Sequence, residues 1–195
     1  MPKKKKANPQ LLVIFDTNVL FTQVASDLVR KEISTLIDEN SSHTDIDIKW
    51  FLPSVVVDER RYQMRNKAFN LLPSIQKLER LLGHNLNITE DILIQRVNDA
   101  VNNSISALNI NELVVDTKEI DWETLIQRAC FRNPPFEAGE KEKGFRDSII
   151  AEAVFQLLKT SPSTPAICRL VLVTDDSVLS EFVEQSTASA KNMRV

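Results

Sequence analysis

The sequence predicts an α/β protein: three layers, α/β/α, with a central, mostly parallel sheet. Two observations carry that expectation. LLVIF (11–15) and CRLVLV (168–173) are nearly continuous apolar runs, as expected of strands buried on both faces. Strand-like runs also alternate with segments of helical spacing, the pattern of parallel strands joined by crossover helices. The chain is long enough for such a core: 195 residues at 43% hydrophobic content suit one domain that buries about 70% of its unfolded surface.

Each element follows in turn. Residues 11–16 read as the first strand. Residues 19–40 then show a helical stripe of Leu20, Val24, Leu28, Ile33 and Ile37 before fading into polar ENSSHTD. IDIKWFLP (46–53) alternates and is rich in β-formers, so it predicts a second strand ending at Pro53, a residue also suited to a helix start. Residues 54–82 predict a long, charged helix bent near Pro73. Residues 89–110 predict another, capped by Thr89 with acidic residues in its first turn. The apolar run at 112–116 is compatible with strand or loop. Residues 121–131 predict a helix capped by Asp121, followed by a charged Pro/Gly loop at 132–144. Residues 145–160 predict an amphipathic helix, with Phe145 anchoring the preceding loop. The strand at 168–173 ends in carboxylates, and 178–186 closes as a helix. Trp50 and Trp122 are expected to be core or partly buried. MRV at 193–195 could begin a further strand, which leaves room for the sequence to be a fragment of something longer. The domain is expected over 11–195, with a helical insertion at about 73–110 and a basic, disordered arm over 1–10.

Composition excludes several classes. Three glycines form neither GxGxxG nor GxxxxGK[ST], so there is no glycine-rich phosphate cradle. Cys130 and Cys168 lack metal-ligand spacing and read as reduced thiols. His43 and His84 have no paired spacing and receive no role. No apolar run has transmembrane length. A soluble, cytoplasmic protein is expected, and the KKKK arm leaves a nuclear location open. The net charge of −3 gives no global basic field.

Four acidic positions stand out. Asp16 ends the first strand. Glu59 lies about two turns into the helix after Pro53. Asp147 sits near the start of the helix after the charged loop, ahead of the apolar Ile149, Ile150, Ala153 and Val154. Asp176, with Asp175 beside it, follows the last clear strand. Ligand sites in parallel sheets lie at the carboxyl ends of strands, so Asp16 and the Asp175/Asp176 pair are expected to share a crevice. Converging carboxylates repel one another. The usual remedy is a hard divalent cation with oxygen ligands, Mg2+ or Mn2+, an arrangement suited to phosphoryl chemistry. Singly, each residue has another reading. Asp16 and Asp176 are good N-caps, Asp147 complements a helix dipole, and Glu59 could lie on a solvated helix face.

FDTNVLF, LPSVVVDERR, KGFRDSIIAEA and LVTDDSVL, in this order, resemble the signatures of PIN-domain nucleases from Leu11 to about Phe182. The resemblance implies an acidic site in which Asp16, Glu59, Asp147 and Asp176 bind metal and catalyse. Asp175 occupies a variable position beside them and is expected as a further metal-binding residue, and Asn18 and Thr174 support the site. It favours Glu59 over Asp58 by its spacing from Pro53. It implies a metal-dependent endoribonuclease that hydrolyses phosphodiesters in single-stranded RNA with one or two Mg2+ or Mn2+ ions. Arg60, Arg61, Arg65, Arg132, Lys141, Lys143 and Arg146 would then guide the strand by its phosphates. The stretch from Pro73 to Leu108 makes the domain larger than the shortest family members, which argues against a toxin with a partner antitoxin. A homodimer and an inhibitory protein partner remain open expectations; no membrane is expected.

Two other functions compete. A PIN-like fold can serve as an inactive nucleic-acid or protein-binding module, although all four acidic positions are filled here. IFDTNVL also partly resembles the D-x-D opening of haloacid-dehalogenase-like phosphatases, but Asn18 stands where that family needs an acid.

Overall fold

The computed structural model describes residues 8–22, 27–137 and 143–195. Residues 1–7 of the basic arm, together with Val24 and Lys141, lie outside them.

The chain runs β1 (Gln10–Phe15), α1 (Thr17–Leu20), α2 (Lys31–Asn40), β2 (Asp47–Pro53), α3 (Ser54–Phe69), α4 (Leu72–Leu82), α5 (Glu90–Ala107) and β3 (Ile110–Leu113). It continues through α6 (Trp122–Phe131), α7 (Phe145–Thr160), β4 (Cys168–Val173), α8 (Ser177–Ser186) and β5 (Met193–Arg194). The five strands form one sheet in the order β3-β2-β1-β4-β5, and every pairing is parallel. This is the expected three-layer α/β/α fold. The apolar run of β1 explains its central place: Leu12, Val13, Ile14 and Phe15 are all buried. Successive strand residues face opposite sides, so both faces of β1 must be covered. Phe15 stacks on Trp50 of β2, with centroids 5.8 Å apart.

The undecided run at 112–116 contributes to β3, which pairs with β2 from Trp50↔Ile110 onward. The end of the chain supplies β5 against β4. The expected bend near Pro73 is a full break: α3 ends at Phe69, and α4 starts at Leu72 with Pro73 in its first turn. α4 and α5 occupy the stretch where the sequence predicts an insertion. α4 buries no residue fully, leaving Leu71, Leu78, Leu81 and Leu82 exposed.

One expectation is corrected. Residues 19–40 do not form a single helix. Phe21 leaves α1 with an extended ψ of 132°, and among the described residues the next helix starts at Lys31. The Arg60 guanidinium on α3 binds two carbonyls of the non-helical stretch. Its Nε donates to Leu28 O at 3.0 Å and its Nη2 to Asp27 O at 2.9 Å. A continuous helix would have used those carbonyls for its own i→i+4 bonds. Leu20, Leu28, Ile33 and Ile37 are buried all the same, so the apolar spacing was real, although residues 21–22 and 27–30 are not helical.

The loop before α7 is anchored by Phe136 rather than Phe145. Phe136 is buried with Ile120 and Leu125 in a small satellite core, whereas Phe145 is 51% exposed. Trp122 is also exposed, with its Nε1 donating to Thr117 O. Gly144 makes the tight join to α7 possible. Its φ is +114°, and a Cβ there would meet Phe136 Cα at 2.5 Å and Pro135 O at 2.6 Å. Among the described residues, no helix is long and apolar enough to cross a membrane.

Two glycine substitutions test this join. Gly83, the left-handed cap of α4, has φ +62° but open space around a new Cβ. Gly83→Ala should cost about 1 kcal/mol, from backbone conformation alone. Gly144→Ala adds a backbone overlap and should cost about 2 kcal/mol more. Urea denaturation midpoints check the difference, and equal losses would contradict it.

Candidate active site

The order β3-β2-β1-β4-β5 reverses direction between β1 and β4. At such a switch point, the loops leaving the two strand ends diverge and open a crevice. Phe15 and Val173, the last residues of the two strands, are partners, and Asp16 N donates to Val173 O at 3.0 Å. Asp16 and the Thr174–Asp176 turn therefore leave the sheet side by side. They open onto a cleft of about 760 Å3 lined by Asp16, Glu59, Glu137, Arg146, Asp147 and Asp176, with Lys143 and Asn18 at its walls.

Asp16 is 4% exposed and caps α1. Its Oδ1 accepts from Thr17 N, and its Oδ2 accepts from Thr174 Oγ1 at 2.7 Å. Burial pushes its carboxyl above the ordinary value despite the Thr174 and Thr17 hydrogen bonds, and Asp176 adds to the rise. Asp176 caps α8, and both capping bonds, from Val178 N and Leu179 N, fall on Oδ1. The cap and site readings of these two residues are thus compatible: a carboxylate can cap its helix and still face the cleft.

Asn18 and Thr174 form a brace between the two turns. Asn18 Oδ1 accepts from Asp175 N at 3.2 Å, while Asn18 Nδ2 reaches Thr174 Oγ1 at 3.5 Å. Thr174 Oγ1 also accepts from Asp176 N. Asp175 contributes this backbone contact. As a metal-binding residue Asp175 is corrected: it is exposed and is not part of the cleft lining.

Glu59 reaches the cleft from α3. Thr17 Oγ1 donates to its Oε2 at 2.8 Å, and Gln63 Nε2 and Arg146 both donate to Oε1. Neighbouring Asp58 turns outward and pairs with Arg61. Asp147 enters from the first turn of α7. Burial first, then the charges of Asp176 and Asp16, push its carboxyl up to about 6 against the pull of Arg146. Glu137 adds to that rise and is paired with Lys143 at 3.2 Å.

The basic residues divide sharply. Lys143 and Arg146 line the cleft. Arg60 is corrected: it is 0% exposed and committed to the Asp27 and Leu28 carbonyls and Gln63, so it cannot meet a phosphate. Arg61 pairs with Asp58 and Asn102, and Arg65 with Asn98 on α5. Arg132 is the left-handed cap of α6. None of these three lines the cleft. Periodicity could not have separated them, because docking of α3 on α5 decides which arginines turn inward. Gln63, a neighbour that Glu59 could pair with along the helix, does so in the cleft; Thr17 and Glu137 carry no signal of their own in the sequence. Thr17 is marked only by its place inside FDTNVLF, and Glu137 is one charge among many in a loop.

A family model described as PIN domain matches residues 13–178. The chain belongs to the PIN-domain family. PIN domains are generally nucleases, and PIN nucleases typically use divalent metals. Searches of curated proteins and of solved structures returned no match.

The donor set of this PIN domain suits a hard cation: carboxylates, with no cysteine or histidine in the lining among the described residues. Their mutual repulsion, visible in Asp147, is what such an ion relieves. Among the described residues, no three acidic, histidine or cysteine side chains stand close enough to hold an ion as they are placed. Arg146 lies on Glu59 instead.

The raised carboxyl of Asp147 has a pH signature. The folded state holds its proton up to about pH 6, whereas an unfolded aspartate releases it near pH 4. The native state therefore binds more protons between these values, and metal-free stability falls as pH rises through the window. Asp147→Asn should flatten that slope, leaving the smaller part due to Asp16, and raise the metal-free Tm at pH 7 by about 2–4 °C. Added Mn2+ should raise the Tm of the parent protein and leave that of the variant nearly unchanged. Thermal melts from pH 4 to 7, with and without Mn2+, check both.

Proposed function

We propose that this PIN domain is an endoribonuclease that hydrolyses phosphodiester bonds in single-stranded RNA and depends on Mg2+ or Mn2+. One observation carries the reading: acidic residues from four separate parts of the chain, Asp16, Glu59, Asp147 and Asp176, line one cleft at the switch point of the sheet. Carboxylates gathered this way cost stability, a pattern common at functional sites.

Asp16, Glu59, Asp147 and Asp176 are the residues that would hold the ion. A bound divalent cation would supply charge neutralisation at the scissile phosphate and a more acidic water. The remaining work falls to the chain. Thr174 holds Asp16, and Thr17 holds Glu59, each through a hydroxyl donor. Asn18 ties the two strand-end turns together, so Asp16 and Asp176 keep their relative placement. Arg146 offsets the acidic charge now and offers a guanidinium to a phosphate that enters the cleft. Lys143 adds a second cation on the same wall.

The test is cleavage of a labelled single-stranded RNA in Mn2+, with and without EDTA. EDTA should abolish cleavage, and Asp16→Asn should reduce it about a hundredfold or more. Asp58→Asn, one residue from Glu59 but turned to solvent, should keep near-parental rates. Tight RNA binding with no cleavage in any metal would favour the binding-module reading and overturn the enzyme.

A further inference from the structure

Two phenylalanine rings stand in the cleft among the charges. Phe21 is 44% exposed and Phe145 is 51% exposed, and both line the cavity that holds Asp16, Glu59, Asp147 and Asp176. They come from different elements. Phe21 follows α1, where the chain turns from helical to extended. Phe145 is the first residue of α7, directly before Arg146 and two residues before Asp147.

Neither ring has the burial that would account for it as packing; the small core beside that loop is filled by Phe136 instead. Neither can hold a cation of the kind the carboxylates suit, since a hard ion takes oxygen ligands. Phe21 is also held in place. Lys67 Nζ lies 4.7 Å from its ring centre and Arg60 Cζ 5.8 Å. Lys67 further donates to Thr22 O, the carbonyl next in the chain. A positioned flat π-surface in a cleft that also presents Lys143 and Arg146 matches one ligand chemistry: a nucleobase on the ring with its phosphate toward those two cations.

We propose that Phe21 and Phe145 are stacking platforms for unpaired bases flanking the phosphate that enters the cleft. This deepens, and rests on, the reading of the cleft as a nucleic-acid site. Two consequences follow from the chemistry of phenylalanine. It offers no hydrogen-bonding group, so the platforms accept any base without reading its identity. In a duplex the base faces are already stacked on one another, so the platforms select a strand whose bases are free.

The experiment measures binding of the full chain in Ca2+ by fluorescence anisotropy, using 12-nucleotide RNAs. The probes are oligouridylate, oligoadenylate, and a ribose-phosphate 12-mer of the same charge lacking bases. For the parent protein, removing the bases should weaken binding about 5- to 100-fold, with a comparable loss against either base-bearing oligomer. Phe21→Leu and Phe145→Leu keep the apolar bulk and lose the aromatic face. Each should shrink the ratio, and the double variant should bring it near one. Phe21→Trp and Phe145→Trp should keep or enlarge it. A parental ratio near one, or a ratio unchanged in the double leucine variant, overturns the proposal, as does absence of any RNA binding. Cleavage is scored separately in Mn2+. A protein that stacks bases but never cuts upholds the platforms and sinks the nuclease; one that cuts with an unchanged ratio does the reverse.

Discussion

β1 is the strand on which the rest depends. It is hydrogen-bonded on both edges, to β2 and β4, and buried on both faces. Nothing in it can move without unpacking the core. Its pairing with β4 brings Phe15 against Val173 and sets Asp16 beside Thr174, 158 residues apart in the chain, at a 2.7 Å hydrogen bond. A parallel sheet in this order makes the two chain exits diverge just there. The cleft is therefore a consequence of strand order, and its acidity a consequence of which residues follow the strands.

That acidity is in tension with stability. Asp16 is nearly buried and Asp147 is held partly out of water, and each feels the charge of Asp176. The structure answers with neutral donors and one cation. Thr17, Thr174 and two backbone N–H groups of α8 take carboxylate oxygens, and Arg146 sits on Glu59. Helix capping and site chemistry share the same atoms. Asp16 and Asp176 begin helices because a carboxylate satisfies free N–H groups there. They line the cleft because those helices begin at strand ends. The two explanations that compete for these residues in the sequence are one geometry seen from two sides.

α3 shows how a charged helix is sorted by its surroundings. Its sequence DERR carries four adjacent charges with little to rank them. In the fold, Glu59 turns to the cleft, Asp58 and Arg61 pair at the surface, and Arg60 is fully buried against the Asp27–Leu28 carbonyls. A buried guanidinium persists only where its donors are satisfied. Here three bonds satisfy it, two of them to carbonyls in the non-helical stretch where a single helix was expected over 19–40. A residue that reads as a phosphate contact is instead part of the scaffold beneath Phe21.

Much was legible in the chain itself. The apolar runs at 11–15 and 168–173 determined two parallel strands; β1 is covered on both faces, while β4 buries Cys168, Leu170 and Leu172 and leaves its other face partly open. The carboxylates at their ends followed from reading one to three residues further, and Thr89 and Asp121 announced their helices because capping is a local interaction. Tertiary structure alone decided the rest. It decided that β1 lies next to β4, that Arg146 rather than Arg60 faces the cleft, that Glu137 joins it, and that Phe145 is open while Phe136 is buried. Each of these is a contact between segments far apart in sequence or a choice of which side of a helix turns inward. Periodicity reports how apolar groups are spaced along the chain; it carries no information about what will be packed against them.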